Sequence, residues 1–284
     1  MITKLSNSIL SATINHKGAE LISLQLLDTK REYIWEGNPE FWGKHSPILF
    51  PIVGTLKNNS YQYKNEIYSL SRHGFAREFD FQLVAKEKNK VVFSLQDNES
   101  TLNIYPFRFE LQLIYILRKS ELTITYKVIN KSLNAMPFCI GGHPAFALKE
   151  QFENYSLKFE SDEKLLSYQL ENDLLSDKTK KIELKNNQLP LTYSLFENDA
   201  LVLKSLQSNQ IQILEKNIPI LNFKFNNFPN FGIWTKMNAP FICLEPWSGY
   251  ADTTKANGNL LDKEGIQLLK SNTSKEYSFN IEII

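Results

Sequence analysis

Three short segments of this sequence combine proton-transfer groups with residues that shape a pocket. In Gly141-Gly142-His143-Pro144-Ala145-Phe146, the two glycines let the backbone approach a neighbour closely or take positive φ. Pro144 biases His143 toward an extended conformation. On local pattern, a core histidine at a strand-to-loop corner and a proton-transfer group are equally open readings. In Arg72-His73-Gly74-Phe75-Ala76-Arg77, the flanking arginines repel a further positive charge and hold the imidazole neutral. That suits a polar pocket, and it also suits an exposed basic turn. In the run 241–249, an apolar strand ends on Glu245 and continues into Pro246 and Trp247. Burial there raises the carboxyl pKa toward neutrality, and Trp247 can wall an apolar pocket. A histidine and a carboxyl tuned toward neutral pH are the residue types for general acid–base catalysis.

The remaining candidates are weaker. The sequence has four histidines. His16, in the turn Asn15-His16-Lys17-Gly18, reads as solvated, and His45, after Trp42-Gly43-Lys44, reads as structural. Cys139 and Cys243 are far apart and form no CxxC pair for zinc. Both read as buried strand thiols, and no metal site is expected.

The elements that position these groups are strands. Phe107, Phe109, Leu111, Leu113 and Tyr115 alternate with Arg108, Glu110 and Gln112. After Arg118-Lys119-Ser120, the residues Leu122, Ile124, Tyr126 and Val128 repeat the period, which predicts a hairpin with one buried face. The same grammar predicts strands over 9–14, 19–27, 79–85, 91–95, 201–206, 210–214, 220–225, 266–269 and 277–283. Runs 201–206 and 210–214 read as a hairpin across a polar turn. Short helices are expected near 39–44 and 100–105. The polar stretch 171–188 reads as a surface excursion. No linker, composition break or repeat interrupts the pattern, so an all-β single antiparallel sandwich domain over residues 1–284 is expected.

The chain has 284 residues, with 32 basic and 31 acidic side chains, a formal net charge of +1. That balance argues against a nucleic-acid binder and against a basic membrane-surface anchor. With 42 % hydrophobic and 12 % aromatic residues, a large core is available and disorder is excluded. No stretch approaches the roughly 18 apolar residues of a membrane span, and the N-terminus has no apolar signal core. A cytoplasmic protein is expected, with its oligomeric state open.

Taken together and in order, His73-Gly74-Phe75-Ala76-Arg77, Gly142-His143-Pro144 and Leu244-Glu245-Pro246-Trp247 resemble the aldose 1-epimerase, or galactose mutarotase-like, family, in particular its lactose-operon-associated, LacX-like bacterial branch. The stretches 47–54 and 196–201 agree with it, and the resemblance runs from Trp35 to Gly249. It implies a single large β-supersandwich and interconversion of the α and β anomers of a hexose. It also implies Glu245 as catalytic base, His143 as catalytic acid, His73 as the second active-site histidine and Asp199 as acceptor of sugar hydroxyls. Such a reaction needs one acid and one base, so no cofactor is implied. One departure stands out. Typical members carry an arginine that contacts substrate where this chain has Thr55, in Gly54-Thr55-Leu56. Lys57, Arg72 or Arg77 can compensate, and Arg77, in the same turn as His73, is the expected contact. Trp247, Trp35 or Phe75 can stack on the sugar. Two alternatives stay open: a hexose phosphate as substrate, bound by the same cations, and a sugar-binding sensor without turnover.

Overall fold

A computed structural model describes residues 1–284. Two large antiparallel sheets lie face to face. In the nine-stranded sheet, the central strand Ser274–Ile283 pairs with Glu121–Asn130 on one side and Ile218–Asn226 on the other. The expected hairpin is its longest ladder, from Phe109↔Asn130 to Arg118↔Glu121. Phe109, Leu111, Leu113, Tyr115, Leu122, Ile124, Tyr126 and Val128 are buried along it, as alternation demands. The eight-stranded sheet runs Leu174–Ile182, Leu165–Glu171, Leu201–Leu203, Asn230–Trp234, Phe241–Ser248, Ile140–Gly142 and Ile48–Leu49, with Ala145–Ala147 also on Phe241–Ser248. The main core fills the space between the sheets, where Phe146 and Phe231 meet Phe223 and Phe50 meets Phe109. A four-stranded sheet at the N-terminus completes the β-supersandwich. No helix is long and apolar enough to cross a membrane.

Several expectations need correction. Segment 39–44 is a turn and not a helix: Asn38 O accepts from Phe41 N and Trp42 N, but the later amides His45 N and Ser46 N donate to Glu20 Oε1 instead of continuing a helical ladder. The helix near 100–105 shrinks to one turn, Glu99–Leu102, closed by an Asn98–Thr101 capping box. Runs 201–206 and 210–214 are not a hairpin. Leu201–Leu203 belongs to the eight-stranded sheet and Gln210–Glu215 to the nine-stranded one. The chain crosses between them where buried Glu163 accepts from Gln207 N and Ser208 N. Half of the polar stretch 171–188 is the edge strand Leu174–Ile182, and its Leu175 is fully buried. His16 is 9 % exposed: its ring packs edge-on against Phe93 and its Nε2 meets Thr3 Oγ1 at 2.9 Å. Cys139 and Cys243 are buried free thiols, as expected.

One ionic junction ties together loops that border the outer face of the eight-stranded sheet. Lys263 and Asp252, with side chains 2 % and 5 % exposed, pair at 3.0 Å. Lys263 Nζ also donates to Tyr250 O, and Asp252 Oδ2 accepts from Lys57 N. The backbone of Asp252 donates to Thr55 O and accepts from Leu175 N. Losing one partner of such a buried pair strands the other charge. Lys263→Met is therefore expected to lower stability by roughly 3–5 kcal/mol, read as a drop in the urea midpoint; an unchanged midpoint would show that the pair carries no such weight.

Candidate active site

Strand Phe241–Ser248 is buried along its whole length. Its side chains alternate, so Ile242 and Leu244 enter the main core. Cys243, Glu245 and Trp247 point to the opposite face; Glu245 and Trp247 line a cleft of about 590 Å³ on the outer side of the eight-stranded sheet, and Cys243 is packed with Trp35, Ala145 and Phe241. The expected site residues Glu245, His143, His73, Asp199, Arg77 and Trp247 all line this cleft, although they come from four distant parts of the chain.

Trp247 forms part of the floor and explains two glycines. A Cβ on Gly141 would sit 2.5 Å from its indole, and one on Gly232 would sit 2.4 Å away. The first of the two glycines before His143 thus admits the tryptophan. The second, Gly142, backs onto Phe279 and Tyr126 of the main core. His143 follows at the corner between Ile140–Gly142 and Ala145–Ala147, with its N–H given to Pro47 O. Its ring stacks on Trp42, with centroids 4.7 Å apart, and meets Trp234 and His73 edge-on.

His143 Nε2 lies 3.3 Å from Glu245 Oε2. Glu245 is 2 % exposed, and neither its Oε2 nor His143 Nδ1 has a hydrogen-bond partner. Burial, reinforced by Arg77 and Arg72, pushes the His143 pKa down to about 3. Burial raises Glu245 well above the usual carboxylate range, with Arg72 pulling the other way. Both shifts favour the uncharged forms of the pair, imidazole facing carboxyl. Moving one proton across the 3.3 Å contact turns it into imidazolium and carboxylate.

His73 takes φ +68° and is held there by Gly54, whose N–H donates to Nδ1 at 3.0 Å and whose carbonyl accepts the His73 N–H. Only an unprotonated Nδ1 accepts that bond, so in the neutral ring Nε2 carries the hydrogen. Arg72 Nε, 3.3 Å from Nε2, is then a neighbour and not a donor. Burial, His143, Arg72 and Arg77 together keep His73 neutral. The expected effect of the flanking arginines is present, but burial is the larger cause.

The cations of the cleft differ in how far they are engaged. Arg72 faces Asp173 at 3.2 Å and Asp199 at 3.7 Å. Arg77 gives Nη2 to Arg72 O, while its buried Nε has no partner. Lys44 and Lys236 also line the cleft, and Glu78 sits behind Lys44 and Arg77 at 2.9 and 3.7 Å. Thr55 reaches the cleft too. Lys57 does not compensate for it, because its ammonium is spent on Thr254 O and Ala256 O. Trp35 and Phe75 are no stacking platforms: both are buried outside the cleft, Trp35 beneath Trp42 and Phe75 in the main core. Trp42 and Trp234, which face it beside Trp247, Phe196 and Tyr250, carry no local sequence signal.

Comparison with known proteins gives the class of the molecule. The family model for aldose 1-epimerase matches residues 1–270. The chain belongs to the aldose 1-epimerase family, isomerases of the mutarotase type that act on sugars. It is 35 % identical to Protein LacX of Lactococcus lactis subsp. lactis over the full length of both chains. Among solved structures it resembles a galactose mutarotase related enzyme from Lactobacillus acidophilus, with a TM-score of 0.95 and 33 % identity, covering 100 % of this chain and 97 % of that one. A galactose mutarotase-like protein from Lactobacillus casei matches with a TM-score of 0.94 and 30 % identity over the whole of both chains.

The two buried ionisable groups have opposite effects on stability. The His143 contribution is complete above the ordinary value of 6.5 and is lost as pH falls toward about 3. The Glu245 contribution is complete below 4.5 and is lost as pH rises above it. NMR titration is expected to find His143 still neutral at pH about 5, where an ordinary histidine is mostly charged; a normal titration curve would contradict the dry environment of the pair.

Proposed function

We propose that the cleft interconverts the α and β anomers of a hexose, with Glu245 as base and His143 as acid, in a single-domain cytoplasmic enzyme. The observation that carries this reading is the buried His143–Glu245 contact at 3.3 Å on the floor of a cleft large enough for a sugar. Glu245 takes the proton of the anomeric hydroxyl as O1 forms a carbonyl with C1. The C1–O5 bond breaks, its electron pair stays on O5, and O5 takes a proton from His143. Rotation about C1–C2 and reclosure return both protons with the other face of C1 attacked. Bound sugar hydroxyls supply the solvation that the resting pair lacks, and this favours its charged form, carboxylate beside imidazolium.

The other groups bind and orient. The Nε2–H of His73 donates to a ring or hydroxyl oxygen. Asp199 accepts from hydroxyls. Trp247 offers an apolar face to the sugar C–H groups. Arg77, whose Nε has no hydrogen-bond partner and only a 3.7 Å ionic contact with Glu78, supplies the cationic contact in place of the family arginine at Thr55.

A second reading keeps the chemistry and changes the substrate to a hexose phosphate. It is favoured by the convergence of Lys44, Arg77 and Lys236 on the same cleft. Arginine and lysine together recognise a phosphate through charge-assisted bonds.

Polarimetry on freshly dissolved α-glucose and α-galactose tests the reaction. Glu245→Gln keeps shape but cannot take a proton, so sugar binding is expected to survive while turnover falls by roughly 10² or more. Near-normal turnover would remove Glu245 from the mechanism, and binding without any acceleration by the native chain would make it a sugar sensor. Arg77→Ala is expected to weaken kcat/KM for the true substrate by about tenfold, the scale of one lost charge-assisted bond. A loss confined to hexose phosphates would select the second reading, and no loss on either substrate would remove Arg77 from the binding site.

A further inference from the structure

Three metal-donor groups converge beside the cleft, and two of them, His143 and Glu245, line it. Cys243 and Glu245 stand two apart on strand Phe241–Ser248 and project from the same face. His143 reaches them from the neighbouring corner. One ligand atom from each lies within 4.8 Å of the other two: an imidazole nitrogen, a thiol sulfur and a carboxyl oxygen. All three residues are buried. Glu245 Oε2 is buried with no hydrogen-bond partner, and His143 Nδ1 is equally unpartnered. Anomer exchange uses only two of the three donors and gives Cys243 no role.

We propose that His143, Cys243 and Glu245 form a binding site for a thiophilic divalent cation of the zinc class, and that the bound ion excludes sugar. The donor set selects the ion. Zinc bonds thiolate sulfur at about 2.3 Å, imidazole nitrogen at about 2.0–2.1 Å and carboxylate oxygen at about 2.0–2.2 Å. A tetrahedral centre with those bonds spaces its donors roughly 3.3–3.8 Å apart. The present donors lie within about 1 Å of that spacing. Magnesium and calcium require more oxygen donors than this site offers. A thiolate and a carboxylate together neutralise a divalent charge, so the loaded site stays electrically neutral in its dry surroundings, which a monovalent ion would not achieve. The stacked Trp42 ring fixes the imidazole plane and the strand fixes the other two side chains, so little ordering remains to be done on binding.

The exclusion of sugar rests on the proposed catalytic roles of His143 and Glu245; the metal site itself does not. The test therefore has two readouts on the full chain. Cobalt(II) titration reports sulfur coordination through its thiolate charge-transfer absorption. Zinc inhibition of mutarotation, reversed by a chelator, reports exclusion of sugar. Cys243→Ala, Cys243→Ser and, as a control, Cys139→Ala are compared with the native chain, and each is referred to its own metal-free rate and melting curve. The native chain and Cys139→Ala are expected to show the cobalt–thiolate band and zinc inhibition. Both Cys243 variants are expected to lose the band and to need at least about tenfold more zinc for the same inhibition. A native chain without the band at cobalt saturation, or zinc inhibition unchanged in Cys243→Ala, would overturn the proposal. Should the native chain accelerate no mutarotation, the cobalt band alone decides the metal site, and its failure stays distinct from failure of the proposed reaction.

Discussion

The site depends on a strand that has no solvent face. Every residue of Phe241–Ser248 is buried, with one set of side chains in the core between the sheets and the other in a second apolar layer on the outer side. A carboxyl placed in that outer layer is desolvated by its address in the sheet. The cost of leaving a polar group buried without a partner is about 1–3 kcal/mol, and Glu245 bears it with an unpartnered oxygen. The surrounding fold must offset that cost, and it does so with a continuous core of 64 buried apolar residues. Such a locally unfavourable group is where a protein gives up stability for chemistry.

Electrostatic order in the cleft follows from the same burial. At the floor, His73, His143 and Glu245 are driven toward their neutral forms. Around the rim, where side chains keep some water, the charges persist and are balanced: Arg72 against Asp173 and Asp199, Lys44 and Arg77 against Glu78. A neutral floor beneath an ionic rim suits a substrate whose reacting centre must shed water while its hydroxyls, or a phosphate, remain bonded at the edge. The geometry of the rim depends on the Lys263–Asp252 junction, which connects Thr55, Tyr250 and Leu175 from three different segments. One strained position lies in the wall of the cleft. His73 and Gly74 both take positive φ, and a Cβ on Gly74 would lie 2.3 Å from Phe50 O, so the turn carrying His73 and Arg77 is pressed directly onto the strand region it serves.

The family relationship and the departure at Thr55 belong together. Full-length similarity to Protein LacX and to the Lactobacillus structures accounts for the fold and the reaction class. Thr55, where the sequence resemblance expects an arginine, lines the same cleft as the buried His143–Glu245 pair. Changing rim residues while keeping the buried pair is a physically economical way to move one reaction between sugars, because the rim is partly solvated and tolerates substitution better than a close-packed floor.

Alternation of apolar and polar residues determined most strands, because a strand with one buried face must repeat every second residue. The hairpin from Phe109 to Asn130 was legible in full for that reason. The residues that meet in the cleft were also legible as candidates, since His143 behind two glycines and Glu245 before Pro246-Trp247 are unusual local settings, and their resemblance to one family joined them. What the sequence could not express was non-local. Leu201–Leu203 and Gln210–Glu215 are neighbours in the chain but lie in different sheets, because the crossing is fixed by the distant carboxylate of Glu163. Trp42 and Trp234 face the cleft while Trp35 and Phe75 are buried away from it. A lone aromatic residue looks the same in either place, and only the packing of the sheets around it decides which of its faces a ligand can reach.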